Sequence, residues 1–214
     1  MDKITNPLSF EDVKRTIADG KPIAFSRYGD GQFQCMAGAS ADRNCDGHLY
    51  FVDMAEKLKL SLRFKQTHVT YALQPKAIRD MPDVVDFYAK GDGYANADIF
   101  HNANIEDDLW DWWSGGRFEF ILVGPHWVCP NIVIPAKNCW LQYERMKAKC
   151  VDLISNGHNR FAFCSSMPTN ILIWELSMMY DHLTMLDLGS ALDPYYGVSS
   201  RKYHAQIIER ERKK

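Results

Sequence analysis

The sequence predicts an α/β fold: a single Rossmann-like domain over residues 1–214, with a mainly parallel central sheet flanked by helices. Three observations carry that prediction. Apolar runs of strand length alternate with helix-length amphipathic segments along the whole chain. Near the N-terminus a short apolar run enters a glycine-rich turn, Arg27-Tyr28-Gly29-Asp30-Gly31-Gln32. Near the C-terminus a strand, helix, strand unit places polar residues at the carboxyl ends of both strands, the edge where ligands bind in open parallel sheets.

Taken in order, Ser9-Phe10-Glu11-Asp12 has the pattern of a capping box and opens a helix that ends near Gly20, with Phe10, Val13 and Ile17 on one face. Lys21 to Phe25 reads as the first strand, and Gln32 to Met36 begins a helix after the glycine turn. Ala37 to His48 is small and polar, a loop placed to lie over a ligand. Leu49 to Phe64 repeats apolar residues at helical spacing, and Val69 to Leu73 is the next strand. Pro75 and Pro82 bracket a turn before an amphipathic helix through Val84, Val85, Phe87 and Tyr88, ended by Gly91-Asp92-Gly93. The stretch from Tyr94 to Trp113 mixes Asn, Asp and aromatics. It reads either as a surface helix docked by Leu109, Trp110 and Trp113 or as an acceptor surface suited to sugar rings and flat bases.

Arg117 to Gly124 is the clearest buried strand, Ile132 to Pro135 an adjacent one, and Trp140 to Ile154 a helix. Arg160 to Cys164 is a strand, Ser165-Ser166-Met167-Pro168-Thr169 a turn with helix-start chemistry, Asn170 to Tyr180 an apolar helix, and Leu183 to Leu188 the last strand. Beyond Ala205 the chain reads as a solvated helix.

Composition narrows the classes. Hydrophobic residues at 46% and charged residues at 24% exclude a disordered or fibrous chain. A net charge of -2 gives no general attraction to nucleic acid or anionic membrane. No apolar run approaches the roughly 20 residues that span a bilayer, and Met1 to Pro7 lacks a signal-peptide core, so the expectation is a cytoplasmic protein without a membrane span. The six cysteines form no C-x-x-C pair and the seven histidines no metal-binding spacing, so reduced, mostly buried thiols and no structural metal are expected.

The glycine turn carries the sharpest chemistry. Gly29 and Gly31 allow positive φ and close backbone approach to a ligand, Arg27 offers a bidentate phosphate contact, and Asp30 offers an oxygen ligand for a hard cation. Arg201 and Lys202 add a second phosphate-binding option, and His126, just past a strand end, is a base or a structural donor. The same glycines also fit an ordinary strand-to-helix turn.

With these residues the chain resembles the GT-D type of glycosyltransferase, whose members carry a glycine-rich Asp-x-Glu turn after the first strand and an Asp-Ile-Gly-His-like strand end near the C-terminus. The matching residues are Arg27-Tyr28-Gly29-Asp30-Gly31-Gln32, Ser165-Ser166-Met167-Pro168-Thr169 and Asp187-Leu188-Gly189-Ser190-Ala191-Leu192-Asp193. The resemblance implies transfer of a hexose such as glucose from a nucleotide sugar, a UDP-sugar, to a glycan or glycoprotein acceptor. A hydroxymethylated base in DNA is a second acceptor class. It implies donor binding by Arg27, Tyr28, Gly29, Gly31, Gln32, Ser165, Ser166, Thr169, Asp187, Gly189 and Arg201, and catalysis by Asp30 and Asp193, with Asp187 a second choice of base. It further implies a divalent cation, Mn²⁺ or Mg²⁺, on Asp30. Two departures stand out: Gln32 replaces the second carboxylate of the turn, so the cation has one charged ligand fewer, and Ser190 replaces the His of the strand end. Other nucleotide-using α/β enzymes, a methyltransferase or a phosphoester hydrolase, are the alternative, although the turn lacks G-x-G-x-x-G spacing and a Walker lysine. A non-enzymatic carbohydrate or nucleic-acid binding module is the third reading.

Overall fold

The computed structural model describes residues 2–39, 49–106, 108–115, 119–164 and 167–213. Helix α1, Phe10–Ala18, starts at the expected box: Asp12 N donates to Ser9 Oγ and Ser9 N donates back to Asp12 Oδ2. The other α-helices of the described residues are α2 (Asp30–Met36), α3 (Val52–Arg63), α4 (Pro75–Asp80), α5 (Pro82–Tyr88), α6 (Ile99–Ile105), α7 (Asp108–Ser114), α8 (Tyr143–Ser155), α9 (Pro168–Met179) and α10 (His204–Glu211). The strands are β1 (Ala24–Tyr28), β2 (Val69–Leu73), β3 (Ala95–Asn96), β4 (Ile121–Gly124), β5 (Ile132–Val133), β6 (Arg160–Phe163) and β7 (Thr184–Asp187).

Among the described residues these strands form one sheet in the order β3-β2-β1-β7-β6-β4-β5, and every pairing is parallel. Side chains alternate between two apolar layers. Ala24, Tyr28, Tyr71, Val123, Phe163 and Met185 join Leu58 of α3, Val85 of α5, Cys150 of α8 and Ile171 of α9. Phe25, Ala72, Leu122, Ala162 and Leu186 join Val13 of α1, Phe100 of α6 and Leu109 of α7. Both sheet faces are covered, which is why the strands read as nearly continuous apolar runs.

The order contains one reversal. From β1 the chain adds β2 and β3 outward; from β4 it adds β5 at the other edge, then returns through β6 to β7, which lies against β1. At the carboxyl edge β1 leads into α2 on the α3 and α9 side, whereas β7 leads into the turn at Asp193 on the α6 side. Two chains that leave neighbouring strands toward opposite faces open a crevice between them, the switch point where doubly wound sheets bind ligands.

Several boundaries differ from the sequence pattern. Strand β1 lies three residues later than its apolar run, so Arg27 and Tyr28 are strand residues. Pairing with β2 and β7 on both sides, and a partner for Ser26 in Asn170 Nδ2 at 3.1 Å, make the polar positions tolerable. The segment between Pro75 and Pro82 is helix α4, since each proline occupies a first helical turn. Helix α10 is not simply solvated: His204 and Ile207 are buried, and Arg210 donates to the carbonyls of Asn104 and Ile105 at the end of α6. Cys35, Cys139, Cys150 and Cys164 are buried free thiols and Cys129 is exposed. No helix of the described residues is long and apolar enough to cross a membrane.

Candidate active site

The crevice between β1 and β7 has Arg27 at its floor. Position 27 points to the α6 side, and its guanidinium is a quarter exposed. Arg27 N donates to Asp187 Oδ2 at 3.2 Å, and Arg27 Nε lies 3.5 Å from Asp187 Oδ1. The guanidinium rests on Gly189, just past the end of β7. That residue holds φ +56°, and a Cβ on it would stand 1.9 Å from Arg27 Nη2. Glycine is required there twice, by the left-handed backbone and by the close approach. Burial pushes the Asp187 carboxyl above its ordinary range, opposed by the Arg27 guanidinium and by the N–H groups of Arg27 and Gly189.

Helix α6 and the start of α10 form the wall beside Arg27. The His101 and Tyr203 rings meet edge to face at 3.8 Å, and Tyr203 and His204 likewise at 4.4 Å. Burial raises the Tyr203 phenol to about 12, against the charges of Arg27 and Arg201. Burial lowers the His101 imidazole, with Asp98 acting against it and Arg27 with it. His204 is pushed down to about 4 by burial and by Arg201, so it is neutral. Three buried polar atoms near this edge have no protein hydrogen-bond partner: Arg27 Nε, Thr169 Oγ1 in the first turn of α9, and His204 Nε2. Buried polar groups are rarely left so, and each marks a place where a ligand or water can complete the bonding.

The glycine turn is built differently. Gly29 caps α2 at φ -109° and Gly31 sits inside its first turn, so neither adopts the positive φ expected of them. Helix α2 begins at Asp30, earlier than the pattern indicates, and an αR backbone needs no glycine. What Gly29 provides is room, since a Cβ would stand 2.9 Å from Gln74 Oε1. Asp30 Oδ2 accepts from Lys76 Nζ at 2.7 Å and Oδ1 from Gly31 N at 2.9 Å, with both side chains about half exposed. Gln32 Oε1 accepts from Gly29 N, and Gln32 Nε2 donates to Asn170 Oδ1. Asn170 Nδ2 in turn donates to Ser26 Oγ and Arg27 O, fastening α2 and α9 to β1.

The other expected site residues fall into distinct places. Tyr28 is fully buried on the opposite side of β1 from Arg27, its hydroxyl bonded to Ser61 Oγ at 2.8 Å, so strand alternation removes it from the crevice. Asp193 is buried as well: Oδ1 accepts from Trp127 Nε1 at 2.9 Å and Oδ2 from Ser200 Oγ. It clasps the turn after β7 to the segment after β4. Asp30 and Asp193 thus share the carboxyl edge but flank the Arg27–Asp187 pair, one toward β2 through Lys76 and the other toward β4 through Trp127. Arg201 is exposed and donates to Ser200 O at 2.9 Å. His126 is exposed beside Trp127. Ser165, Ser166 and most of the polar loop, residues 40–48, lie outside the described residues. In the aromatic stretch Leu109 is buried and Trp110 stacks on Tyr195 at 4.4 Å, the docked-helix arrangement.

A divalent cation on Asp30 does not fit this donor set. Its carboxylate is engaged by an ammonium, the Gln32 carbonyl is committed to a backbone N–H, and the described residues contain no group of three His, Cys, Asp or Glu side chains around a common point. The sequence pattern missed Lys76, His101, Asn170, Tyr203 and His204. For Lys76 a signal existed, because it follows the end of the strand Val69–Leu73 as Asp30 follows β1; the others are joined only by the tertiary fold.

Solved structures with the same architecture are known. A domain of unknown function 1792, solved with selenomethionine, is 15% identical, with a TM-score of 0.65 over 90% of this chain and 80% of that one. A glycosyltransferase of the same domain type from Streptococcus sanguinis is 13% identical, with a TM-score of 0.65 over 89% and 83%. A third, described as showing that this domain has a distinct glycosyltransferase fold, is 15% identical with a TM-score of 0.64 over 90% and 80%. The chain therefore has that glycosyltransferase fold. No protein-family model and no curated protein matches it.

Proposed function

We propose that this protein transfers a sugar from a nucleotide-diphosphate donor to an acceptor hydroxyl in the crevice between β1 and β7. The fold supports the reaction class, and the observation that carries the reading is Arg27, half-buried at the switch point with its own Nε unpartnered. Breaking the bond between the sugar and the diphosphate leaves a nucleoside diphosphate whose developing negative charge must be met by fixed positive groups. Arg27 supplies the charge, held in place by Asp187 and Gly189. The Thr169 hydroxyl and the first-turn N–H groups of the 12-residue helix α9 supply further donors. The Tyr203 and His101 rings, set edge to face, line the side of the crevice with aromatic surface.

Asp30 is the carboxylate of this edge that solvent reaches, and in this reading it accepts the proton of the attacking hydroxyl while Lys76 compensates its charge. Asp187 positions Arg27, and Asp193 holds the turn. The donor is a UDP-hexose such as UDP-glucose. The acceptor is a glycan or glycoprotein in preference to a modified DNA base, since a net charge of -2 opposes a polyanion.

The test is a thermal-shift series on the full chain with UDP, UDP-glucose, ATP and S-adenosylmethionine, each with and without Mn²⁺ or Mg²⁺, followed by an assay for UDP release with oligosaccharide acceptors. A ligand at 100 times its Kd stabilises the native state by about 2.7 kcal/mol. UDP and UDP-glucose are expected to raise the melting temperature by several degrees. A shift with S-adenosylmethionine or ATP alone replaces this reading with a methyltransferase or a phosphoester hydrolase.

A further inference from the structure

A second polar and aromatic recess lies at the other end of the strands. A cavity of about 380 Å³ is lined by Trp112 and Trp113 of α7, Glu119, Phe120 and Ile121 at the entry to β4, Asn131 before β5, and His158 before β6. All three strand segments enter the sheet there, so the recess opens at the amino edge, away from Arg27. Its volume sits at the small end of the roughly 300–1,000 Å³ typical of small-molecule sites.

We infer that this recess binds a neutral saccharide, with the ring faces of Trp113 and Phe120 as the platform. The Trp113 and Phe120 rings lie 5.7 Å apart at an interplanar angle of 30°, and Trp112 closes the far side edge to face with Phe120 at 6.2 Å. None of the three is fully buried, so apolar ring surface stays open to a ligand where a core would have covered it. Around the rings stand one carboxylate, one amide and one imidazole. Asn131 is preset: its Oδ1 accepts from Leu122 N at 2.8 Å, which fixes the amide and leaves its two Nδ2 donors to face a ligand.

Charge selects among ligands. The described lining residues include one carboxylate, Glu119, and no lysine or arginine, so they offer phosphates and nucleotides no counter-charge, whereas Arg27 does. A carboxylate beside an amide and an imidazole suits vicinal hydroxyls, and a pyranose presents C–H groups to an aromatic face while its hydroxyls point outward. A quaternary ammonium would also like the rings and the carboxylate, but it has no use for the Asn131 donors and would leave most of the volume empty. That the saccharide is the remote part of the acceptor chain rests on the glycosyl-transfer reading; that the recess binds saccharide does not.

The experiment is calorimetric titration of the full chain with cellobiose, maltose, lactose and N,N′-diacetylchitobiose, and separately with tetramethylammonium. At least one disaccharide is expected to bind with a Kd of about 1 mM, and Trp113→Ala, Glu119→Gln and Asn131→Ala should each weaken it roughly tenfold, a change of about 1.4 kcal/mol. Glu119 is exposed, so Glu119→Gln keeps the test valid if Trp113→Ala unfolds. Binding should be indifferent to saturating UDP and to Arg27→Lys. The inference is overturned if no disaccharide binds, if binding survives all three variants, if UDP displaces it, or if tetramethylammonium alone binds. Saccharide binding without any UDP-dependent thermal shift would keep this site and remove the transferase reading.

Discussion

Two carboxylate–cation pairs stand side by side on the carboxyl edge, and they are built to opposite ends. Arg27–Asp187 joins two central strands, with Asp187 almost fully buried and the guanidinium pressed on Gly189. Asp30–Lys76 joins the first turns of α2 and α4, with the side chains 42% and 51% exposed. A buried pair is hard to break because the surviving charge is stranded in low dielectric. An exposed pair is worth little and can open to a substrate. The first fixes geometry, and the second leaves a carboxylate within reach of solvent.

The largest effect should come from Arg27→Ala, which strands the Asp187 carboxylate. A loss of about 3–5 kcal/mol is expected, read as a lower urea midpoint, together with loss of UDP binding. A midpoint near wild type would mean that the pair adds nothing and that Asp187 is neutral. Asp30→Asn should show the reverse split: stability within about 1 kcal/mol of wild type but transfer slowed about 100-fold or more. Full turnover in that variant would remove Asp30 from the chemistry and erase the contrast.

Gly189→Ala sharpens the comparison from the backbone side. A Cβ at a left-handed residue costs about 1–3 kcal/mol, and this one also displaces the guanidinium, so UDP affinity should fall even where a melt shows the fold intact. Gln32→Glu should cost about 1–3 kcal/mol, because Asn170 Oδ1 loses its donor and faces a carboxylate instead. Tighter Mn²⁺ binding in that variant would show that the turn turns outward to hold an ion.

The remaining effect concerns pH. His204 titrates near 4 in the native state and near its ordinary value of about 6.5 when unfolded. Only the unfolded chain takes up this proton between those limits, so the contribution is complete above about 6.5 and is lost as pH falls toward 4. His204→Phe should flatten that part of a melting-temperature profile, and an unchanged slope would assign it to the carboxylates.

Much of this is legible in the sequence. The order of strands and helices, the capping box at Ser9 and the strand Val69–Leu73 follow from local periodicity. The entry of β1 did not, because its polar residues are satisfied by Asn170 and Asp187, more than a hundred positions away. Separation along the chain also hid the two pairs, 160 positions for Arg27–Asp187 and 46 for Asp30–Lys76. Asp30 and Asp187 each stood out as acids at strand ends, but the cation beside each is set by which strands are neighbours. The aromatic wall of His101 and Tyr203 has no local signature at all, since α6 and α10 meet only through the folded sheet.

The adjacency of β1 and β7 also has a consequence for biosynthesis. Strand β1 leaves the ribosome long before β7, yet its neighbour on one side comes from residues 184–187. Until then β1 can pair only with β2, and the partner of Arg27 does not yet exist. Long-range parallel pairing is slow and leaves strand edges exposed while it waits. A nascent chain stopped short of Thr184 therefore holds two partial sheets, each with a bare inner edge, and the crevice comes into being only when the last strand closes the gap between them.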